Sequence, residues 1–520
     1  MSEAVRHVVI VGGGSAGWLT AAVLAAAHGR GTAHTTDVKL RITLLESPAI
    51  GPIGVGEGTW PTMRDTLRSV GLSETELFRQ CDAAFKQGSR FNGWVDGSPA
   101  DHYFHPFVLP QGYTEAPLAA AWLQRYAGVP FADLVSFQPH LCVQGRAPKQ
   151  PATPEYAAVA NYGYHFDAGK FGQLLQRHCT QQLGVVHVLD HVVGVNSHDN
   201  GDIASVQTQA SGALAGDLFV DCTGMASLLL GRHYGVAWVP QRQVLFNDSA
   251  LAVQLPYAHE DSAIASQTIA TAQENGWVWD IGLPTRRGVG HVYSSAHTSD
   301  DAAEAALRRY VQHSGGPADM PSPRKLNFQP GYRQKFWHHN CVAIGLSAGF
   351  VEPLEASALA LVEQSAAFLS EEMPATRAAM DIVASRFNSS FSYRWERVID
   401  FLKLHYALSR RSDTAYWRDH VAPEHVPKRL RDLLTLWCHR PPSRRDFDRV
   451  DELFPSASYQ YVLFGMGFKP EPGAYAQQAG SDAADGFFRE TAALTRKMLP
   501  ALPSNRALID HILRHGMLRV

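Results

Sequence analysis

The chain has 520 residues, of which 45% are hydrophobic and 18% are charged. This composition predicts a globular protein, and the length leaves room for more than one domain. The formal net charge of -3 gives no electrostatic reason to expect nucleic acid or an anionic membrane surface as a partner. Six cysteines lie far apart without CxxC spacing, which argues against a zinc site or a disulfide framework and favours the reduced cytoplasm.

The first predicted elements are a strand, a glycine turn and a helix, in HVVIVGGGSAGWLTAAVLAAA, residues 7–27. The segment is uncharged from Val8 to Ala27 and matches the length of a membrane span, but its glycines at 12, 13, 14 and 17 fit a turn better. RITLLES, residues 41–47, predicts a second buried strand. The chain is therefore expected to open with a βαβ unit.

The glycine turn has the spacing of a dinucleotide-binding motif, G-x-G-x-x-G, in Gly12, Gly14 and Gly17. In that motif the first glycine allows the tight turn, the second admits a pyrophosphate and the third lets helix pack on strand. Glu46 follows Gly17 by 29 residues, a wide spacing that a polar insert near residues 28–38 explains. We prefer an ADP-ribose site to a purely structural turn, with Glu46 on the ribose hydroxyls and Gly12, Gly14, Ser15, Ala16 and Gly17 as the cofactor-binding residues of the turn.

The middle of the chain predicts further strands. Residues 101–160 are rich in aromatic residues and proline with weak periodicity, which indicates irregular structure or edge strands. Strand-like runs follow at 185–195, 203–209 and 217–224, and others at 249–255 and 288–295 are assigned to a second sheet. NCVAIG, residues 340–345, predicts a return to the first sheet before a long helix through LEASALALVEQSAAFLSEE, and the chain after about residue 375 is mostly helical.

The expected fold class is α/β, with an FAD-binding Rossmann-like domain, an interleaved second β-sheet and a C-terminal helical region. Residues 1–374 would hold the first two parts, and residues 375–520 would complete a substrate pocket. The late return to the first sheet resembles the FAD-binding fold of glutathione reductase and aromatic hydroxylases. That fold places a helix N-terminus beside the flavin ring, where N–H groups favour anions, so Ser357 and Ala358 are expected to offer backbone donors.

A more specific resemblance begins with GWVWDIGL, residues 276–283. It resembles the Trp-x-Trp-x-Ile-Pro motif of flavin-dependent halogenases of the tryptophan halogenase family, with Trp277, Trp279 and Ile281 in place and Gly282 at the proline position. Further stretches fit the family in order and cover nearly the whole chain: GGGSAGW, GVGEGTWP (54–61), FKQGSRFNGW (85–94), HPF (105–107), DCTG (221–224), GLSAGFVEPLEASAL (345–359) and LHYALSRRSDTAYW (404–417).

The resemblance implies an enzyme that uses reduced FAD, oxygen and chloride or bromide to make hypohalous acid, which then halogenates an aromatic ring. A separate NAD(P)H flavin reductase would supply the reduced FAD, and the enzyme would be a monomer or homodimer without a metal, a membrane segment or nucleic acid. By motif match the catalytic residues are Lys86 and Glu355. The other residues expected from the resemblance are Ser357 and Ala358 for halide, His105, Phe107 and Tyr459 for substrate, and Val192 and Leu346 for the cofactor.

The roles of the two catalytic candidates are chemically reasonable. The Lys86 ammonium can polarise hypohalous acid, or its amine can be halogenated; Glu355 can stabilise the cationic ring and take its proton. Each also has an ordinary interpretation. Lys86 falls in a plausibly helical segment, where most lysines are solvated, and Glu355 can be a first-turn helix acid favoured by the helix dipole. The alternating Trp277 and Trp279 can be core and rim aromatics of a strand.

The substrate is less specified. Tyr459 matches the first of a tyrosine pair found in enzymes that act on free tryptophan, but Gln460 occupies the second position. A bare indole or another electron-rich aromatic therefore fits at least as well as the free amino acid. The sequence leaves two other functions open. One is a flavin-dependent aromatic monooxygenase that hydroxylates, and the other is a flavin-binding protein without halogenase turnover.

Overall fold

The computed structural model describes residues 4–29, 40–49, 51, 56–471 and 481–519. Residues 30–38 of the polar insert near residues 28–38 lie outside the described residues, as do Gly54 and Val55, the first two residues of GVGEGTWP.

The secondary-structure elements of the described residues are numbered in chain order. The strands are β1 (His7–Val11), β2 (Arg41–Glu46), β3 (Glu57–Gly58), β4 (Ala84–Lys86), β5 (Gly88–Asn92), β6 (His102–Pro106), β7 (Gly163–Phe166), β8 (Val186–Leu189), β9 (Val192–Ser197), β10 (Ile203–Thr208), β11 (Ala213–Ala215), β12 (Leu218–Asp221), β13 (Trp238–Pro240), β14 (Ser249–Pro256), β15 (Thr268–Gln273), β16 (Gly276–Gly282), β17 (Arg286–Tyr293), β18 (Arg324–Asn327), β19 (Gly331–Arg333), β20 (Trp337–His338), β21 (Cys341–Ala343) and β22 (Gly349–Phe350). The α-helices are α1 (Ser15–His28), α2 (Thr62–Ser69), α3 (Glu74–Cys81), α4 (Leu118–Arg125), α5 (Phe131–Val135), α6 (Gln138–Val143), α7 (Ala168–Gln181), α8 (Asp300–His313), α9 (Ser357–Glu371), α10 (Arg377–Ala407), α11 (Ala415–Val421), α12 (Lys428–Trp437), α13 (Ser456–Gly465), α14 (Ser481–Ala501) and α15 (Asn505–His515).

The chain forms two compact units, each built from three separate segments. The first unit consists of Met1–Ala83, Phe166–Gln241 and Gln329–Trp395. The second unit consists of Ala84–His165, Arg242–Phe328 and Glu396–Val520. The boundary between their last segments falls inside α10. The chain therefore enters and leaves each unit repeatedly.

The first unit is organised around a six-stranded sheet with the order β20-β21-β12-β1-β2-β8. Its strands from β21 to β8 are parallel, and β20 is an antiparallel edge. The β-branched run of β1 is buried between β12 and β2, while α1 packs against α7 and α9. Parallel sheets need such helical cover because both faces must be buried. The predicted βαβ opening and the late return of the chain through β21 are confirmed, and so is the α/β, Rossmann-like fold class.

The run at residues 185–195, predicted as continuous strand, contains two strands. β8 pairs with β2 in the main sheet, whereas β9 belongs to a separate antiparallel sheet with β10 and β11. Asp190 lies at the break, where its carboxylate accepts the backbone N–H groups of Ala210 and Ser211. A carboxylate that accepts several backbone N–H groups fixes a turn, so the strand ends there.

The second unit contains a seven-stranded sheet with the order β18-β14-β17-β16-β15-β5-β6. Neighbouring strands are antiparallel except β15 and β5. One face of the sheet packs on α8 around a buried cluster that includes Leu251, Val289 and Leu307. β6 is an edge strand, as predicted for part of residues 101–160, and the rest of that region contains the short helices α4 to α6. The C-terminal helical region is also confirmed.

The prediction that Lys86 lies on a helix is wrong. Lys86 ends the short strand β4, which pairs antiparallel with β7. Two residues later Gly88 has φ +143, and a Cβ at this position would lie 2.5 Å from the backbone oxygen of His105. Such a backbone conformation favours glycine and is incompatible with a continuing helix. The chain therefore passes directly from β4 into β5.

Candidate active site

The glycine turn of the first unit has the close packing that its motif requires. Gly12 has φ +118, and a Cβ there would lie 2.1 Å from the Cys222 backbone oxygen. A Cβ at Gly17 would lie 1.9 Å from the Gly12 oxygen. At Gly14, by contrast, a Cβ would meet no atom within 4 Å. The turn is therefore packed where strand and helix meet and open where the motif admits a pyrophosphate.

Helix α1 and strand β2 complete this region. α1 begins at Ser15 after Gly14, and the N–H groups of its first turn have no acceptor within the helix. Glu46 ends β2, and its side chain lies across the turn, because a Cβ at Gly13 would be 2.2 Å from its carboxyl carbon. Glu46 Oε2 lies 3.0 Å from Nε2 of His187, a neighbour that the sequence did not indicate. These groups can bind an anion and a hydroxylated sugar.

Val192 and Leu346 also lie in the first unit. Val192 opens β9, and Leu346 lies in a short 3-10 helix, Gly345–Ser347. Both side chains are half-buried. Their role as cofactor contacts stays a prediction.

Helix α9 begins at the predicted halide site. Ala356 precedes it with φ 54, a left-handed conformation, and Ser357 is the first helical residue. The N–H groups of Ser357 and Ala358 belong to the first turn, where no intrahelical acceptor exists. They are therefore donors of the kind that the prediction requires, and the positive end of the helix dipole favours an anion beside them.

Glu355 lies before this helix and not in its first turn. Its side chain is 4% exposed, and its backbone oxygen accepts a hydrogen bond of 2.7 Å from Trp60 Nε1. The alternative interpretation of Glu355 as a first-turn helix acid is therefore wrong, because the left-handed residue Ala356 separates it from the helix. A buried carboxylate at this point needs another explanation.

The same helix carries a buried glutamate that sequence reasoning missed. Thr66 Oγ1 donates to Glu363 Oε1 at 2.7 Å, and Thr62 Oγ1 lies 3.3 Å from Oε2. Both threonines belong to α2. Burial raises the pKa of Glu363 to about 8, so this carboxyl is largely protonated at neutral pH. The only local signal was an acid inside an apolar helical run, which is normally a solvated position.

In the second unit the structure brings Lys86 and Phe107 together. Lys86 is 1% exposed, and its Nζ lies 5.2 Å from the centroid of the Phe107 ring. An ammonium group over an aromatic face is attracted by the ring quadrupole. The backbone N–H of Phe107 donates to the Gln87 backbone oxygen at 3.3 Å, which ties the end of β6 to the residue after Lys86. Lys86 is therefore not the solvated lysine of its alternative interpretation.

The remaining predicted substrate residues belong to an aromatic cluster in the same unit. The His105 ring lies 5.6 Å from Phe401 and 6.2 Å from Tyr461, between ring centroids. Tyr459 on α13 lies 4.9 Å from Phe401. Phe401 and Tyr461 were not predicted from the sequence, although Tyr461 directly follows Gln460. Gln460 lies between the two tyrosines, and its Nε2 donates to the Pro442 oxygen at 2.8 Å.

The double-tryptophan motif forms the buried strand β16. Trp279 pairs with Gly290, where a Cβ would lie 2.2 Å from the tryptophan ring. Trp277 lies 6.3 Å from Trp94, between ring centroids. The strand prediction is confirmed, and both tryptophans are buried in the core. The proline position of the motif is Gly282, where a Cβ would lie 3.0 Å from a methyl carbon of Ile264.

Within the described ranges, no group of three or more His, Cys, Asp or Glu side chains is arranged to hold a metal ion. In that same part of the chain, no helix is both long and apolar enough to cross a membrane.

Comparison with known proteins identifies the family. The family model "Tryptophan halogenase" matches residues 7–481. The crystal structure of a tryptophan halogenase from Shewanella frigidimarina NCIMB 400 is 47% identical, with a TM-score of 0.96 over 100% of this chain and 99% of that chain. A flavin-dependent halogenase from Xanthomonas campestris is 31% identical, with a TM-score of 0.87 and the same coverage.

Among curated proteins, the tryptophan 6-halogenase SttH of Streptomyces toxytricini is 34% identical over 522 residues, which cover 96% of each chain. Family match and similarity thus extend over both units and include every motif from which the resemblance was first inferred. The chain therefore belongs to the tryptophan halogenase family and is a flavin-dependent halogenase.

Proposed function

We propose that the enzyme chlorinates or brominates an indole or another electron-rich aromatic ring at a fixed position, using reduced FAD, oxygen and halide. The observation that carries the proposal is the burial of the Lys86 ammonium over the Phe107 ring. Burial of a lysine is costly, and a lysine held at one buried point beside an aromatic ring suits a chemical role. The similarity of this chain to a tryptophan 6-halogenase and to another tryptophan halogenase supports an indole ring as the target.

The first unit fits an FAD molecule. Gly14 leaves open space beside the start of α1, whose N–H groups suit a pyrophosphate, and Glu46 lies across the same turn. When bound, reduced FAD together with oxygen supplies the two-electron oxidation that converts halide to hypohalous acid. Ser357 and Ala358 hold the halide on their backbone N–H groups at the start of α9. A separate flavin reductase delivers the reduced cofactor.

Lys86 acts on hypohalous acid in the second unit. Its ammonium donates to the oxygen of the acid, which makes the halogen more electrophilic, or its neutral amine takes the halogen as a haloamine. A strand position with little exposure holds the amine in one place. Because such a site excludes water, the oxidant is directed to the ring and not lost to hydrolysis.

Glu355 acts on the aromatic ring. Addition of the halogen makes the ring cationic, and a carboxylate stabilises that charge and then accepts the ring proton. The overall change replaces one ring hydrogen by halogen and releases water from hypohalous acid. This role accounts for a buried carboxylate outside the helix, for which the structure offers no capping function.

His105, Phe107 and Tyr459 contribute to the substrate pocket in this proposal, together with Phe401 and Tyr461. Aromatic side chains bind a planar ring by offset or edge-to-face packing. Gln460 uses its amide on the Pro442 oxygen, so this position does not reproduce the second tyrosine of enzymes that act on free tryptophan. We therefore propose bare indole, or an indole within a larger molecule, before the free amino acid.

The proposal is tested with purified enzyme, FAD, NADH, an unrelated flavin reductase, oxygen and bromide. Indole and tryptophan are offered separately, and products are identified by mass spectrometry. We expect the bromine isotope pair in the indole product and no product when the reductase is left out. Hydroxylated product alone would show an aromatic monooxygenase. Reoxidation of the flavin without an oxygenated product from any offered ring would show a flavin-binding protein without halogenase turnover.

A further inference from the structure

A buried histidine shares a strand face with Lys86. In the antiparallel pairing of β4 with β7, Ala84 is opposite His165 and Lys86 is opposite Gly163. Residues directly opposite each other project to the same side of a sheet, and so do residues two positions apart. His165 and Lys86 therefore lie on one face as diagonal neighbours, at a spacing of about 7 Å that a long side chain can cross. Gly163 has no side chain to separate them.

The His165 ring uses only one of its nitrogens in the scaffold. Nε2 lies 2.8 Å from Thr268 Oγ1. Nδ1 is buried and makes no hydrogen bond within the part of the chain that the structure describes, and the whole side chain is 0% exposed. Buried polar atoms in folded proteins nearly always have a partner. Nδ1 is therefore available to a group on the Lys86 face.

The His165 ring is neutral. Burial and, next, the positive charge of Lys86 hold the pKa of His165 well below its usual range, and no other charged group acts on it among the described residues. A neutral imidazole carries one N–H and one lone pair. The positive charge of Lys86 favours the tautomer with the lone pair on Nδ1, which leaves the Nε2–H to donate to the Thr268 oxygen.

We propose that His165 is a positioning residue that acts through Lys86, by accepting a proton from its ammonium on Nδ1, directly or through one water. The inference rests on the halogenase function proposed above. An Nζ–H bond breaks and an Nδ1–H bond forms, so the pair keeps a single positive charge. The neutral Lys86 amine then takes the halogen of hypohalous acid: an N–halogen bond forms, the oxygen–halogen bond breaks, and an amine proton joins the hydroxyl group to give water.

The test compares His165→Gln with wild type, because the glutamine amide can keep the contact to Thr268 but is not a base. The readout is halogenated indole per hypohalous acid formed, with the acid measured by a chemical trap. We expect a loss of about a hundredfold near pH 7. The yield of the variant should recover with rising pH as hydroxide takes over the proton acceptance that His165 provides, whereas the wild-type yield should stay nearly constant. Tyr164→Phe, on the opposite face of β7, is the control for disturbance of the core.

Lys86→Met is measured together with these variants. It distinguishes a failure of the proposed function from a failure of the inference about His165. If Lys86→Met retains full halogenation, the assignment of Lys86 in the proposed function fails. If Lys86→Met loses product but His165→Gln matches wild type, or loses the same fraction at every pH, only the inference about His165 is overturned. Nitrogen-15 NMR of histidine-labelled wild-type enzyme needs no variant: an unprotonated Nδ1 is expected for His165, and a protonated Nδ1 would overturn the proposal.

Discussion

Two buried lysines of the second unit, Lys86 and Lys149, differ in what surrounds their ammonium groups. Lys149 is fully buried and donates to the Pro154 oxygen and to Tyr162 Oη, each at 3.1 Å. These bonds tie a loop to the body of the unit. The Lys86 Nζ instead lies over the Phe107 ring, on the strand face that it shares with His165. The first lysine therefore has the hydrogen bonds of a scaffold residue, and the second lies where we propose that it reacts.

The first unit shows the same contrast between two buried glutamates. Glu363 lies inside α9 and is bound by the hydroxyl groups of Thr62 and Thr66 on α2. Glu355 lies just before the helix. There Trp60 Nε1 donates a hydrogen bond to the backbone oxygen of Glu355, which fixes the turn. Burial alone therefore does not identify the chemistry, since each unit contains a buried side chain with clear structural hydrogen bonds, Lys149 or Glu363, as well as the buried side chain that we propose for the reaction.

The largest difference is expected between Lys86→Met and Lys149→Met. Lys86→Met should lower halogenated product by at least about a thousandfold while FAD still binds and hypohalous acid still forms, because no other amine occupies that position. Lys149→Met should lower the free energy of unfolding by about 3 kcal/mol, because two buried acceptors lose their donor, and should leave product per folded enzyme nearly unchanged. Mass spectrometry, an acid trap and urea unfolding separate the outcomes. Equal loss of product in both variants would contradict the distinction.

The next effect is expected at Glu355. Glu355→Gln should lower turnover about a hundredfold, since the amide neither stabilises a cationic ring as well nor takes its proton. Flavin affinity, measured by fluorescence titration, should change by less than about threefold. Glu363→Gln is the matched control, because it alters another buried carboxyl of the same unit, and its turnover should stay close to that of wild type. An unchanged rate in Glu355→Gln would remove Glu355 from the chemistry.

Glu363 should instead control stability as a function of pH. Its pKa is raised from 4.5 to about 8 in the folded protein. Between these values the unfolded chain releases a proton that the folded chain retains, so the stability contributed by Glu363 is complete below about pH 4.5 and is lost as the pH rises to about 8. Relative to Glu363→Gln, wild type should lose on the order of 4 kcal/mol over this range. Urea unfolding at both ends of the range measures it, and a difference independent of pH would exclude the raised pKa.

The smallest effect is expected at Gly282, which occupies the proline position of the double-tryptophan motif. Gly282→Ala places a Cβ 3.0 Å from Ile264 and 3.1 Å from the Tyr257 hydroxyl, a crowding that slight movement relieves. We expect a loss of about 1 kcal/mol in thermal or urea unfolding and unchanged product. Gly290→Ala, with a Cβ 2.2 Å from the Trp279 ring, should cost roughly 3 kcal/mol. A larger effect at position 282 would show that the missing proline matters to this strand.

Local patterns in the sequence were sufficient for most of the fold. The β-branched run of residues 7–11, the glycine turn and the alanine-rich helix after it are encoded by neighbouring residues, so they were predicted correctly. The double-tryptophan strand was predicted for the same reason. Lys86 was misplaced on a helix because the strand β4 has only three residues, too few for a period of two to be distinguished.

The sequence by itself determined the family, the fold class and the residue types at the proposed site, because motifs and periodicities are properties of short segments. Only the tertiary structure decided which distant residues surround each buried ionisable side chain. Glu363 meets residues about 300 positions away in the chain, and His165 shares a strand face with Lys86 through the pairing of β4 with β7. Contacts between such distant residues depend on how sheets and helices assemble, and no local pattern carries that information.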